Sequence, residues 1–166
     1  MKLSGFKRRI YIFLINKIYV GTNHFEKKKI LMNKLGHEIG EGTKIVGPIF
    51  CTGKLIVGKN CWIGKNLVIN GNGTLSIGDN CDVAPEVTFE TGGHTIGNSQ
   101  RRAGKGITYN ISVGDGCWIG ANSTVLGGVN ISDSCVVAAC ACVCKDVDIN
   151  SLVGGVPAKL IRKLDE

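Results

Sequence analysis

The chain of 166 residues is one domain's worth, long enough for a real core, and its 24 glycines without a collagen-like triplet period point to many tight turns. Residues 1–36 hold nine Lys or Arg against one acid, Glu26, for a net charge of +8, while the remainder is near neutral at −1. This split argues against nucleic-acid binding by the main body, and no apolar run is long enough to span a bilayer.

The first segment, residues 1–38, reads as helical. FKRRIYIFLINKIYV places Phe6, Ile10, Leu14 and Ile18 at helical spacing, and a second short helix is expected through residues 25–35, stopping at Gly36. The most apolar run, residues 10–15, ends at Asn16 and Lys17 and lacks a small-residue cleavage site, so a cytoplasmic protein is expected. Two compatible readings stand for the helices. They cap the end of the structure that follows, or they form a basic interfacial element drawn to anionic lipid at the inner membrane face. The interruption of the apolar face by Lys17 favours the cap.

From residue 39 a six-residue period takes over. Branched apolar residues recur at Ile39, Ile45, Val57, Ile63 and Ile69, with Cys51 in the one remaining slot. The lattice slips by two residues at 71–73 and resumes at Ile77, Val83 and Phe89. After residues 91–108 it resumes again at Val113, Ile119, Val125, Ile131, Val137, Val143 and Ile149. Six fits neither 3.6 nor a heptad. Three sixes make an eighteen-residue coil, and stacked coils lie about 4.8 Å apart, as strands do in any sheet. No coil buries its inward face alone, so several must stack. Units such as IGEGTK, VGKNCW, IGDNCD and VGDGCW show the plan: a branched apolar residue, usually Gly, two turn formers, then a small inward residue. Cys61, Cys81, Cys117 and Cys135 each fall four places after a lattice residue and read as small buried fillers. Cys140, Cys142 and Cys144 alternate like strand residues and lack zinc-knuckle gaps, so no metal site and no disulfide framework is expected.

The stretch TGGHTIGNSQRRAGKGIT at 91–108 is the one long excursion, and long loops in compact domains are usually functional or disordered. It holds His94. Histidine is the usual general base near neutral pH, whereas His24 and His37 lie outside the repeats and read as structural or solvated.

The units over residues 39–154 resemble the hexapeptide repeats of the left-handed parallel β-helix acyltransferases, above all those acetylating maltose, galactosides and polysaccharides. The matching blocks are IGDNCDVAPEVTFETGGH, VGDGCWIGANSTVLGGVNIS and the closing VPAKLIRKL. The resemblance implies an all-β domain of about five coils, preceded by the helical segment, interrupted by the excursion and followed by a tail at 155–166. The left hand comes from the family alone, since parallel crossovers in general favour the right. It further implies an acetyl-CoA-dependent O-acetyltransferase acting on a sugar or polysaccharide precursor, assembled as a homotrimer with each active site between subunits.

By the same resemblance His94 is the catalytic base, and its orienting partner is Glu90, Glu86 or a backbone carbonyl. Trp118 lines the cleft, and a backbone N–H at Gly120 or Ala121 meets the oxyanion. Ala138, Ala139, Cys144 and Lys145 fall where coenzyme A is contacted, with Pro157, Lys159 and Arg162 near its adenine and phosphate. The chain departs from the family at the acceptor. An acidic residue of the sugar-acetylating relatives is replaced by Asn72, and Arg101 and Arg102 suit an anionic acceptor such as an acidic polysaccharide. Serine O-acetylation and a non-catalytic assembly module are the alternatives, the first opposed by the shortness of the segment before the repeats.

Overall fold

In the computed structural model, which describes residues 3–165, the repeats form a three-sided parallel β-helix. The first face stacks Glu38–Ile39, Lys54–Val57, Thr74–Ile77, Ile111–Val113 and Asn130–Ile131. The second stacks Lys44–Ile45, Trp62–Ile63, Asp82–Val83, Trp118–Ile119, Val136–Val137 and Ser151–Gly155. The third stacks Ile49–Cys51, Leu67–Asn70, Thr88–Glu90, Thr124–Leu126 and Cys142–Val143. There are five complete coils, and Val147 and Ser151–Gly155 begin a sixth, one step beyond the count expected from the repeats.

Strand register follows the lattice. On the second face Ile45, Ile63, Val83, Ile119, Val137 and Val153 lie over one another in steps of 18, 20, 36, 18 and 16 residues. The three departures from 18 all fall on the edge joining the third face to the first, at residues 70–73, 91–110 and 144–146. The last of these corrects the sequence lattice: Val147, rather than Ile149, takes the place over Ile131, and Ile149 is 54% exposed. Cys51 is only half-buried in its slot.

The turn chemistry explains the hexad. Asn60, Asn66, Asn80, Asn122 and Asn150 sit at the same turn position with φ near +55°, where Asn and Gly are the residues least strained. On the edge between the first and second faces, a Cβ on Gly40, Gly58, Gly78 or Gly114 would strike the coil above. The aspartates that follow bond downward: Asp79 Oδ1 accepts from Lys59 N (2.6 Å), Asp115 Oδ1 from Asp79 N (2.7 Å) and Asp133 Oδ1 from Asp115 N (2.9 Å). The filler cysteines form a buried column inside this edge. The Sγ of Cys61, Cys81, Cys117 and Cys135 donate to Gly78 O, Gly114 O, Ser132 O and Asp148 O at 3.0–3.1 Å. All eight cysteines are free.

Both ends of the solenoid are covered. Helix α1 (Gly5–Phe13) runs into a π turn over Leu14–Ile18, and helix α2 spans Phe25–Lys34. Neither is long and apolar enough to cross a membrane. The Asn16 amide pairs with the open edge of Ile49–Cys51, donating to Ile49 O (2.9 Å) and accepting from Ile49 N (3.0 Å). Asn33 Oδ1 accepts from Ile39 N (2.9 Å), and Gly21 N reaches Gly47 O (3.4 Å). Backbone groups that a first coil leaves unpaired are thus met at Ile39, Gly47 and Ile49. The buried Lys28 locks α2 to the preceding loop, its Nζ donating to Gly21 O at 2.7 Å. At the other end residues expected as a tail form the strand Ala158–Lys163, antiparallel to Ser151–Gly155.

His37 is a structural residue. It is buried and its Nδ1 accepts from Leu55 N at 3.2 Å, which requires the neutral ring. Burial, then the charges of Arg8 and Lys54, hold its pKa below the ordinary imidazole value. A depressed folded-state pKa means that the unfolded chain takes up the proton first as pH falls below about 6.5, so this contribution is complete above that pH and is lost below it. Denaturant unfolding from neutral to mildly acidic pH is therefore expected to show a fall in stability whose steepness below about pH 6.5 is reduced in His37→Asn. Parallel pH profiles for the two proteins would refute this.

Candidate active site

The edge that absorbs every departure from the period also carries His94. At its base, residues 70–73 bulge by two residues under the start of the excursion. Gly71 has φ +90°, and a Cβ there would meet Gly92 N and Thr91; one on Gly73 would meet Tyr109 O. Thr91 ties the two levels together: its Oγ1 donates to Asn70 O (2.6 Å) and accepts from Gly73 N (3.2 Å). Tyr109 N then returns to Thr91 O (2.8 Å), closing the excursion at its root. Above, the Tyr109 ring lies against Gly127, where a Cβ would strike it, and Gly128 beside it has φ +86°.

Between Thr91 and Tyr109 the chain is ordered as a two-stranded antiparallel hairpin, Gly92–Ile96 with Ala103–Thr108, rather than an irregular loop. It pairs Gly93 with Ile107 and His94 with Gly106, with a bulge between His94 and Ile96. Asn98 shapes the tip, its Oδ1 accepting from Gln100 N (3.0 Å) and Arg101 N (3.2 Å).

His94 is solvent-exposed, and its Nδ1 lies 2.9 Å from Gly104 O. A carbonyl only accepts, so Nδ1 is the donor, and in the neutral ring Nε2 is left as the acceptor. Of the three partners considered from sequence, the structure selects the carbonyl. Glu90 instead accepts from Asn70 Nδ2 (2.8 Å), and Glu86 sits in a turn on another edge. Gly104 carried no sequence signal as a partner, because the contact depends on the register of the hairpin.

The other candidate residues fall in three places. Asn72, Arg101 and Arg102 share the His94 edge, Asn72 in the bulge beneath the root and the arginines at the exposed tip, where Arg102 Nη1 reaches Gly97 O (3.4 Å). Gly120, Ala121, Ala138 and Ala139 stack on the edge between the second and third faces. There Gly64 and Ala84 continue this groove of small residues on the coils below, while Gly154 above is covered by the Ile161 side chain. Cys144, Lys145, Pro157 and Lys159 line a cavity of about 380 Å³ under the terminal hairpin. Arg162 is paired opposite Leu152 in that hairpin and does not line it.

The two backbone N–H groups named from sequence differ in their engagement. Gly120 N–H is already committed to Val137 O at 2.8 Å, whereas Ala121 N–H has no backbone partner among the described residues. Trp118 lies on the second face, 57% exposed, and shares a shallow cleft of about 300 Å³ with Trp62 and Asp82. In register, Asp82 sits between the two tryptophans, a neighbour that sequence spacing did not single out. His94 projects from the opposite edge of the prism, so one chain does not bring His94 and Trp118 together. A further cavity of about 230 Å³, between the helices and the first coil, contains none of the candidate residues.

Comparison with known proteins places this arrangement. The model for the hexapeptide repeat of succinyl-transferase matches residues 54–84 and 110–143, on either side of the hairpin. Galactoside O-acetyltransferase of Escherichia coli (strain K12) is 31% identical over 143 residues, covering 85% of this chain and 70% of the relative. The crystal structure of a galactoside acetyltransferase in complex with coenzyme A superposes with a TM-score of 0.83 at 26% identity, over 96% of this chain and 80% of that one. A hexapeptide-repeat acetyltransferase of Vibrio cholerae O1 biovar eltor, complexed with acetyl-coenzyme A, gives 0.81 at 28% identity, over 96% and 86%. The solenoid is the left-handed β-helix of these structures.

The root geometry makes a direct prediction. In Gly73→Ala the added methyl must displace Tyr109 O, so exchange of the hydrogen-bonded amides within Gly92–Ile96 and Ala103–Thr108 is expected to quicken while that of the first-coil strands stays as in the parent. Unchanged protection in the hairpin would mean that it does not depend on this root.

Proposed function

The chain belongs to the hexapeptide-repeat acetyltransferases, and on that footing we propose that it transfers the acetyl group of acetyl-CoA to a hydroxyl of a sugar or polysaccharide precursor, with His94 as general base. The observation that carries this reading is the Nδ1 contact with Gly104 O, which leaves Nε2 of the neutral ring as the acceptor. In the proposed reaction Nε2 takes the acceptor's hydroxyl proton as the oxygen attacks the thioester carbon. The tetrahedral oxyanion is met by the free N–H of Ala121. Its collapse re-forms the carbonyl and breaks the C–S bond, and the imidazolium returns the proton to the departing thiolate.

The donor's pantetheine arm would lie along the groove of small residues through Gly120, Ala121, Ala138 and Ala139, beside Trp118. Lys145 and Lys159 offer charge to its phosphates at the terminal cavity. Because this groove and His94 occupy different edges, the reading requires a second copy, and a homotrimer with three shared sites satisfies it. Asn72 and the hairpin arginines border the acceptor side. The arginines favour an anionic glycan over a neutral sugar, and Asn72 supplies hydrogen bonding to a hydroxyl without a competing negative charge.

Thiol release from acetyl-CoA, measured against neutral sugars, acidic oligosaccharides and serine, tests the acceptor class; a response to serine alone would overturn the glycan reading. His94→Ala is expected to lower kcat by about 10²- to 10⁴-fold with donor affinity intact, a loss typical of removing a general base. Normal turnover in that variant would exclude the assignment.

The shared site has its own test. Refolding His94→Ala together with Trp118→Ala should restore part of the activity that each lacks alone, because mixed trimers contain some sites with both native residues. A mixture no more active than its parents would place the whole site within one chain.

A further inference from the structure

Helix α1 contributes no buried residue, an unusual property for an element that belongs to a cap. Its inner side packs only through the half-buried Tyr11, and the fully buried anchor to the solenoid comes just beyond it, at Ile15 and Asn16 in the π turn. At about 100° per residue, the side opposite Ile15 carries Phe6, Ile10 and Phe13. These are 75%, 38% and 55% exposed. Of the stripe read from sequence, Phe6, Ile10 and Ile18 are therefore exposed, while Leu14 packs against the core. Lys7 and Arg9 are exposed on the two flanks of this ridge, and Lys17 follows it at the far end. No acid precedes Glu26 in the chain, and none of these cations has a carboxylate partner among the described residues.

We propose that this ridge is a docking surface for an anionic lipid bilayer, on which α1 lies in the interfacial plane. Phe6, Ile10 and Phe13 enter the acyl boundary while Lys7, Arg9 and Lys17 engage the headgroups. An apolar stripe between rows of unpaired cations matches the layering of such an interface, apolar below and anionic at the level of the flanks. A second copy meeting ridge to ridge would instead bring like charges together. The surface lies at the end of the prism opposite the terminal hairpin, so docking leaves the proposed donor cavity free. The inference does not depend on the acceptor.

Sedimentation with vesicles of phosphatidylcholine, with and without phosphatidylglycerol, tests it. The full chain is expected to partition onto the anionic vesicles and to be released by salt. Phe6→Ser/Ile10→Ser/Phe13→Ser should lower that partitioning at least tenfold. Lys7→Gln/Arg9→Gln should lower it about fivefold per charge on anionic vesicles only. Circular dichroism and the oligomeric state should stay as in the parent for both variants. Equal sedimentation with the two vesicle types, or unchanged partitioning of the triple serine variant, overturns the proposal. So does dissociation of the oligomer in that variant, which would show that the ridge is covered by another copy.

Discussion

The structure depends on one constraint: each coil must hydrogen-bond to the next at a single strand spacing. Backbone bonds such as Trp62 N to Cys81 O (2.9 Å) and Gly64 N to Val83 O (2.7 Å) hold every level at that distance. A side chain at any position then meets its counterpart on the coil above. Inward positions become columns, so that Ile63, Val83, Ile119 and Val137 form one continuous line of wholly buried residues. Corner positions lose the room for a Cβ, as at Gly58 and Gly78. The ends have no next coil, and the side-chain amides of Asn16 and Asn33 stand in for one.

The same constraint limits where the chain can depart from its period. An insertion within a face would break a ladder on both sides, whereas one at an edge need only leave and return at adjacent points. The bond from Tyr109 N to Thr91 O closes such a gap, and the hairpin satisfies its own backbone pairing outside the prism. The excursion therefore costs the stack little. It nevertheless marks its neighbours: the bulge at Gly71–Asn72–Gly73 beneath and the paired glycines at 127–128 above both accommodate its root. Irregularities that look independent along the chain are one local solution in space.

Much of this was legible in the sequence because a solenoid writes its architecture at constant spacing. The columns, the turn positions, the filler cysteines and the break at His94 could all be read by counting. What escaped the count depends on geometry between distant positions. The shift from Ile149 to Val147 follows from a coil two residues short, which a six-residue rule cannot anticipate. The helical stripe gave the right element without fixing which way it faces, because spacing finds an apolar side without saying what covers it. The final strand read as a tail since its pairing is with the preceding coil and not with a repeat. Of the candidate site, residue types were legible. The carbonyl partner of His94 and the engagement of Gly120 N–H were not, since both are matters of backbone register.

The choice of a carbonyl to orient His94 has a chemical consequence for the proposed transfer. A carboxylate would both fix the tautomer and stabilise the imidazolium; a neutral carbonyl does the first and little of the second. That suffices where the leaving group is a thiolate, whose conjugate acid has a pKa near 8.5 to 9, far below that of an alkoxide's. Departure then needs little help from an acid, and the demanding requirements are the position of the base and the stabilisation of the oxyanion. Position is what a two-stranded hairpin rooted between coils provides. The proposed oxyanion donor and the proposed groove for the carrier lie on another edge from His94, and the stacking of the coils holds the two edges apart. In the proposed reaction the solenoid's rigidity is therefore what makes the oligomer part of the active site, since a second copy can bring to His94 what its own chain holds out of reach.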